Sequence, residues 1–462
     1  VAAAETEPIV NEYITFIFSL MKRIFIALAA FMTLSLGVSA QQVKSPADAA
    51  KAVDAAEKTA ENPKNAAKTA TWLKLAKAYK GAYDAAVGPA IKGVDKAQVS
   101  VLLGSEKPSS VTSVVVGGQP YTKEVYENRN LYFNGNNILV FIEVTKEVVE
   151  NSRQKSLTAY QKAASLDPKG SKTKEISEGI DEISKTYLDD ALTAYNVGNV
   201  AKSSKYFSLA AAAKETAPLN QIDTTAIYNT AVTALMVNDD VTAEKYLNRC
   251  KDIKYFEDGE VFAKLGQVYQ NRQDTVAMVK VLEEGFVEFP KNQSILIGLI
   301  NYYLTSKTNT QRLFDLLDKA KQNEPNNASL YYVEGNIHKE LKEYDAAAAS
   351  YNQASEVNPS YEYGFIGCGQ MYYDLAVDAS TAASNEADDN KYMALMDKAN
   401  DYLKKSISPF ESAFKVSTDK EVRLIIAEYL KNIYFRFRTQ DEGYAANYEK
   451  YKNICDTKEI PN

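Results

Sequence analysis

Histidine is almost missing from this chain: His338 is the single imidazole in 462 residues. A serine or cysteine hydrolase needs an imidazole held between nucleophile and carboxylate, and a zinc site needs clustered His and Cys, so both chemistries lack their parts. Cysteine is scarce as well. Cys250, Cys368 and Cys455 lie scattered in apolar helical stretches, where small buried hydrophobes are expected rather than a disulfide framework. There is no G-x-x-x-x-G-K-[ST] loop, and Gly364, Gly367 and Gly369 fall on a helical stretch without the preceding strand that a dinucleotide site requires. The 53 basic and 60 acidic residues leave a net charge of -7 and form no basic stripe, which argues against a nucleic-acid partner. Carboxylates are plentiful, yet Asp239-Asp240 and Asp388-Asp389-Asn390 lack calcium-loop spacing and fit solvated turns. The expectation is therefore no enzyme, no cofactor, no metal and no catalytic residue.

Long apolar runs are wanting too. Ile24 to Leu36 is an apolar stretch of about 13 residues, short of the roughly 20 that span a bilayer. Lys22-Arg23 precedes it and Val38-Ser39-Ala40 follows, the pattern of a signal peptide from Met21 to Ala40. Residues 1–20 read as an over-extended reading frame. No cysteine follows the cleavage site to carry a lipid, so the mature chain is expected to start at Gln41, exported to the periplasm without a transmembrane anchor.

What the chain has is a repeat. Tyr331, Gly335, His338, Ala347, Tyr351, Ala354 and Pro359 stand at relative positions 4, 8, 11, 20, 24, 27 and 32 of one window. Phe262, Leu265, Gly266, Tyr269, Leu282, Gly285 and Pro290 take positions 4, 7, 8, 11, 24, 27 and 32 of another. Small residues at 8 and 20 let two antiparallel helices, A and B, approach closely, with large side chains at 4, 11 and 24 around the contact. Proline at 32 stops helix B, because it has no amide donor and its ring clashes with the preceding turn. Pro290, Pro325 and Pro359 mark successive ends. One such hairpin cannot bury its apolar face alone, so neighbours must stack.

This spacing resembles the tetratricopeptide-repeat (TPR) family, whose 34-residue unit is a helical hairpin. The resemblance implies an all-α solenoid, a right-handed superhelix of hairpins, working as a binding scaffold. Further units follow in both directions: Tyr187 to Ala210, Ile227 to Cys250, and a fifth with Ile295, Leu299, Tyr302, Leu317 and Ala320, carrying a longer turn near Lys307 to Thr310. A seventh opens at Phe365, Gly369 and Tyr372, but Phe410 and Ala413 of its second helix come about 25 residues late. Asp378 to Asn390 is expected to be a loop or an irregular helix extension, and Glu421 to Cys455 a capping pair.

The first unit is split. Trp72, Ala76 and Tyr79 open a helix A, whereas Ser156, Tyr160, Ala163 and Pro168 supply its helix B far downstream. The insert, about residues 95–144, reads as β-rich with a helix over Asp95 to Leu103. Val111 to Val116, Gly117-Gly118 and Tyr121 to Tyr126 make one hairpin; Leu131 to Phe133, Asn134-Gly135 and Ile138 to Val144 make a second. If Asn134-Gly135 forms a two-residue turn, Gly135→Val costs of order 1 kcal/mol. The resulting division is a first unit over 41–168, a central array over 169–375, and the interrupted seventh unit with its cap over 376–462.

The TPR resemblance also implies that helix A positions 2, 5, 9, 12 and 13 line a concave groove. Carried over, these give Tyr195, Gln267, Gln270, Asn271, Tyr303, Tyr332, Asn336, Lys339, Tyr363, Gln370 and Tyr373 as candidate partner-binding residues. Aromatic rings with polar tips suit recognition, although packing between helices would use them equally well. The carboxylate clamp of some relatives pairs Lys at position 5 with Asn at 9; here Tyr332 and Asn336 stand there, a departure from that pattern. A protein or peptide partner in the cell envelope is the expectation, with a glycan or peptidoglycan fragment on the tyrosines as the alternative. The insert either offers a strand edge to a partner or caps the array.

Overall fold

A computed structural model describes residues 43–306 and 310–460. The signal peptide expected at Met21 to Ala40, the reading-frame extension before it and most of the turn near Lys307 lie outside the described residues. The described chain divides into two compact units: residues 43–66, 74–112 and 122–156 form one, and 67–73, 113–121, 157–306 and 310–460 form the other.

The first unit begins with α1 (Pro46–Glu61), capped by Ser45 and burying Ala49, Val53, Ala56 and Ala60. This helix carries no aromatic signature, and the repeat pattern does not announce it. A single turn, α2 (Pro63–Ala66), leads to α3 (Thr69–Val87). The insert follows as α4 (Lys96–Leu103), β1 (Ser110–Val116), β2 (Gln119–Val125), β3 (Arg129–Phe133) and β4 (Leu139–Val144). The strands form one antiparallel sheet in chain order. Val99 and Leu103 of α4 pack with Leu131, Phe133, Leu139 and Ile142 of the sheet, giving the insert its own small core.

The two turns of the sheet differ from each other. Gly117 and Gly118 both take positive φ, 56° and 79°, as a tight hairpin requires. At the second, Asn137 rather than Gly135 takes the left-handed conformation, with φ 57°. The Asn134 side chain accepts from the N–H groups of Asn136 and Ile138, so Asn134 to Ile138 is one longer capped loop. A Cβ on Gly135 meets nothing within 4 Å. The expected two-residue turn, and the cost assigned to Gly135→Val, are thereby corrected.

Arg129 is, with Arg153, one of two deeply buried arginines of the unit. Its guanidinium lies on Gly88, where a Cβ would fall 2.6 Å from Cζ, and it donates to Glu106 Oε2 at 2.6 Å. Gly88 has φ 78°, so both its backbone and its surroundings demand glycine.

In the second unit, helices alternate as hairpins: α6 (Thr173–Asn196) with α7 (Val200–Lys214), α8 (Thr224–Met236) with α9 (Asp240–Asp252), and α10 (Glu260–Asn271) with α11 (Thr275–Glu288). Then come α12 (Gln293–Ser306) with α13 (Thr310–Asn323), α14 (Ala328–Glu340) with α15 (Tyr344–Val357), α16 (Glu362–Ser384) with α17 (Asp389–Val416), and α18 (Lys420–Phe437) with α19 (Glu442–Thr457). Helix α5 (Ser152–Ser165) returns to α3: Ser156 Oγ donates to the Ala76 carbonyl at 2.7 Å, and Thr69 Oγ1 donates to the Leu166 carbonyl at 2.9 Å. Pro290, Pro325 and Pro359 each stand two residues beyond a helix end, and Pro168 three beyond α5.

Of the two readings of Asp378 to Asn390, the helix extension holds over most of the stretch and the loop does not. Ala376, Ala379 and Ala383 continue the buried stripe of α16, and Asp388 caps α17 by accepting from Asn390 and Lys391 N–H, leaving only 385–388 between the two helices. The delay in the seventh unit is thus taken up by lengthening both helices. Beyond it, Phe410, Phe414, Leu430, Tyr434, Phe437 and Tyr451 join in one core that closes the stack.

Candidate functional site

Four of the helix A to helix B turns share one geometry. Gly198, Asn238, Gln273 and Lys342 take φ 86°, 58°, 60° and 63°. In each, the next N–H reaches back five residues: Asn199 to the Ala194 carbonyl at 2.8 Å, Asp239 to Ala234 at 2.9 Å, Asp274 to Tyr269 at 2.9 Å, and Glu343 to His338 at 2.8 Å. That is a left-handed C-terminal cap. Asn199, Asp239 and Asp274 then accept from an N–H three residues on, so a single residue both closes helix A and opens helix B. Hydrogen bonds from Thr242 hold the Asp239 carboxyl below its ordinary value.

Glycines set the spacing between helices. A Cβ on Gly335 would fall 2.5 Å from the Tyr351 ring, and one on Gly367 of the next helix A 2.6 Å from the same ring. Leu282 is wedged likewise between Gly266 and Gly298, at 2.7 and 2.9 Å. The small residue at position 8 therefore lies beneath position 24, not chiefly opposite position 20 as expected. Ala347 and Ala354 are fully buried beside it, and Ala76 and Ala163 are fully buried as well.

In turn and packing these hairpins are tetratricopeptide-like. No protein-family model and no curated protein matches the chain. A TPR protein of Cytophaga hutchinsonii is similar with 14% identity over 61% of this chain and 96% of its own, at a TM-score of 0.37. One from Parabacteroides merdae shares 14% identity over 54% and 98%, at 0.34, and one from Bacteroides fragilis 17% over 53% and 97%, at 0.27. The likeness to a TPR hairpin lies in the turns and wedges above.

The TPR register now places every candidate. His338 packs on Phe314, ring centroids 4.8 Å apart, and its Nδ1 is 2.7 Å from Glu343 Oε2. Tyr269, at the same register position, donates to Glu244 of the preceding helix B at 3.2 Å. Tyr79 does the same to Glu57 of α1, so α1 stands where a helix B would precede the first unit. Trp72 is half-buried, and Tyr160 is buried with its ring against Gly179.

Tyr303 requires a correction. It is 6% exposed and donates to Glu283 at 2.9 Å, with Arg312 bonded to the same carboxylate at 3.0 Å. Its contacts and its 34-residue step from Tyr269 make it the packing tyrosine of its unit, and burial pushes its phenol up to about 12. The groove position of that helix falls two residues earlier, on exposed Asn301. Tyr373 is also engaged in packing, edge-on to Tyr429 at 4.9 Å.

On the helix A face, Gln267 and Gln270 are exposed, and Asn271 donates to Asp240 at 3.0 Å. Tyr332, Tyr361 and Tyr363 meet with centroids 5.4 to 6.2 Å apart, at angles of 52° to 74°. Asn336 Oδ1 accepts from Tyr351 at 2.7 Å, Lys339 pairs with Asp374 at 2.8 Å, and Gln370 is half-buried. Tyr195 is 40% exposed, with Leu192 at 46% and Met236 at 52% nearby in register. The last two are aliphatic and carry no polar tip, so the sequence pattern does not mark them as surface residues. Cys250 and Cys368 are free and buried, their thiols pushed up to about 12 and about 11 by desolvation. Among the described residues no group of His, Cys, Asp and Glu is arranged to hold a metal ion, and no helix is long and apolar enough to cross a membrane.

Proposed function

We propose that this chain is a non-enzymatic scaffold of the cell envelope, exported by its N-terminal signal, whose helix A face binds a protein partner. The observation that carries the reading is the division of labour among side chains. Gly335, Ala347, Tyr351 and Ala354 are consumed by packing and Tyr332 lies against the same core, while Gln267 and Gln270 stand exposed on helix A and Asn336 and Tyr363 are half-buried there. Half-buried tyrosines with neutral amides beside them give contact area at low entropy cost. The glycan alternative draws on the same tyrosines, but Tyr332, Tyr361 and Tyr363 are mutually tilted and form no flat platform for a sugar ring.

The test is affinity capture from envelope extract with residues 41–462, run beside the double substitution Gln267→Ala, Gln270→Ala at two exposed positions of helix A. Recovery of one protein complex by the parent and its loss with the double variant supports the reading. Equal recovery by both, or sugar-dependent thermal stabilisation with no protein recovered, overturns it.

A further inference from the structure

The two edges of the insert sheet are finished differently. On the β4 side the chain covers its own edge: Leu139 N–H donates to the Val94 carbonyl at 2.9 Å, Gly93 N–H donates to the Leu139 carbonyl at 2.8 Å, and Asp95 bridges to Ile138. The register between β3 and β4 shifts at Tyr132 and Phe133, and Glu143 puts a carboxylate on the strand. Cover, an irregular register and a charge all keep a sheet edge from pairing with another chain.

The β1 edge lacks the cover and the charge. Ser110–Val116 contains no charged residue and no proline, and five of its seven residues are β-branched. Ser110 to Ser113 are exposed, with Val111 at 54%, and Val115 stands 75% exposed. A stretch of this composition on an open edge is a template for another strand.

We infer that β1 is a self-association site, on which β1 of a second copy of this chain pairs antiparallel about a two-fold axis at Ser113, joining two four-stranded sheets into one. The inference concerns the insert and does not depend on the helix A face.

The register of the exposed valines selects this occupant. Val111, Ser113 and Val115 lie on one face of the strand, because side chains alternate. With the axis at Ser113, Val111 of each copy stands opposite Val115 of the other, so both exposed valines are covered, and Ser113 meets Ser113. An axis at Thr112 sets Val111 against Ser113 and Val115 against Ser109; an axis at Val114 sets Val115 against Ser113 and Val111 against Gly117. A slip of the pairing by one residue would set opposite faces against each other. The strand is therefore its own complement in a single register, and β-branched cross-strand pairs of this kind are what stabilise a sheet.

Charge favours the same arrangement. Lys107, which precedes β1, is brought towards the uncharged Gly117-Gly118 turn of the other copy, whereas a parallel pair would bring the two lysines together. The contrast between edges also limits the assembly. Each sheet offers one open edge, so an isologous pair uses both and stops at two, where a second open edge would permit a filament. A single strand pair is small for an interface, which makes the dimer reversible on dilution.

The test is analytical ultracentrifugation of residues 41–462 over a wide range of concentration, with two variants altered at the same exposed positions. Val111→Lys, Val115→Lys sets like charges opposite each other at both crossings; Val111→Lys, Val115→Glu sets lysine against glutamate at both. The parent should rise from monomer towards twice that mass, the double-lysine variant should dissociate at least tenfold more readily, and the lysine–glutamate variant should stay within about threefold of the parent. Circular dichroism of both variants should match the parent. If the double-lysine chain fails that check, the lysine–glutamate chain decides alone, since it must keep the dimer. A parent that is monomeric throughout or grows beyond a dimer would overturn the inference. So would a folded double-lysine variant that pairs like the parent, or a lysine–glutamate variant that loses the dimer.

Discussion

Replacing Gly335 by alanine tests the packing logic of the array most directly. Alanine is the better helix former by about 1 kcal/mol, so an open site would gain stability. Here the added Cβ would stand 2.5 Å from Cδ1 and 2.6 Å from Cε1 of Tyr351, so the ring must shift by about an ångström to restore ordinary contact. It has nowhere to go, because the position of a Cβ on Gly367 is only 2.6 Å from the same Cε1, placing backbone behind the ring. Overpacking of this kind costs about 1–3 kcal/mol, giving a net loss of up to about 2 kcal/mol after the helical gain. With the ring removed by Tyr351→Ala, the same substitution should stabilise by about 1 kcal/mol, so the coupling between the two sites should reach about 1–3 kcal/mol. Urea unfolding followed by circular dichroism across the four-member cycle measures it, fitted with neighbour coupling between units because repeat arrays depart from two-state behaviour. Additivity within about 0.5 kcal/mol would refute the wedge.

Other outcomes follow from the same contacts. Gly135→Val should shift the urea midpoint negligibly, whereas Gly88→Ala should cost about 2 kcal/mol or more, since it places a Cβ in the Arg129 guanidinium at a positive φ. Lys342→Gly should stabilise by about 0.5–1 kcal/mol, because Lys342 holds φ 63° at a turn where Gly198 serves without strain. Tyr303→Phe should destabilise by about 1 kcal/mol through loss of the Glu283 bond, without weakening partner capture; a selective loss of capture would return Tyr303 to the groove. For the buried thiols the sign is set by their raised pKa. Cys250 and Cys368 move from 9.0 up to about 12 and about 11, so their contribution is intact below pH 9 and lost as the pH climbs towards those values. Urea midpoints measured from pH 8 to 11 should fall, and less steeply in Cys250→Ala, Cys368→Ala.

The hairpins are legible in the sequence because their demands are local and repeated: a small residue under a large one, and proline after helix B. The insert is legible for the same reason, as Val111 to Val116 and Leu139 to Val144 carry β-branched runs. What escapes a sequence reading depends on contacts with weak contrast. Helix α1 buries only alanines and one valine, a stripe that barely departs from its alanine-rich surroundings. The fifth unit misaligns by one residue because Ile295, Leu299 and Tyr302 imitate positions 4, 8 and 11; Asn292, whose side chain accepts from Ile295 N–H at 2.8 Å, lies eleven residues before Tyr303 as the cap Asn327 lies before His338. The lengthened seventh pair is hidden because Ala376, Ala379 and Ala383 look like loop residues until a second long helix covers them. On the candidate face, polar residues can be enumerated from the register, but only hydrogen bonds separate Tyr303, which is spent on Glu283, from Gln267, which is not.

Leu282 and Tyr351 carry one more consequence. Each belongs by sequence to one hairpin but is clasped half by that hairpin and half by its successor, so the cooperative block does not coincide with the 34-residue period. A chain cut neatly after Pro359 would keep a whole repeat on paper while baring one side of Tyr351. A cut that carries its glycine partner along, falling beyond Gly367, would leave the remaining stack with a closed end. Stability in this protein is thus bounded by interlocks between neighbours, and a shortened version should be judged by which interlocks it leaves whole.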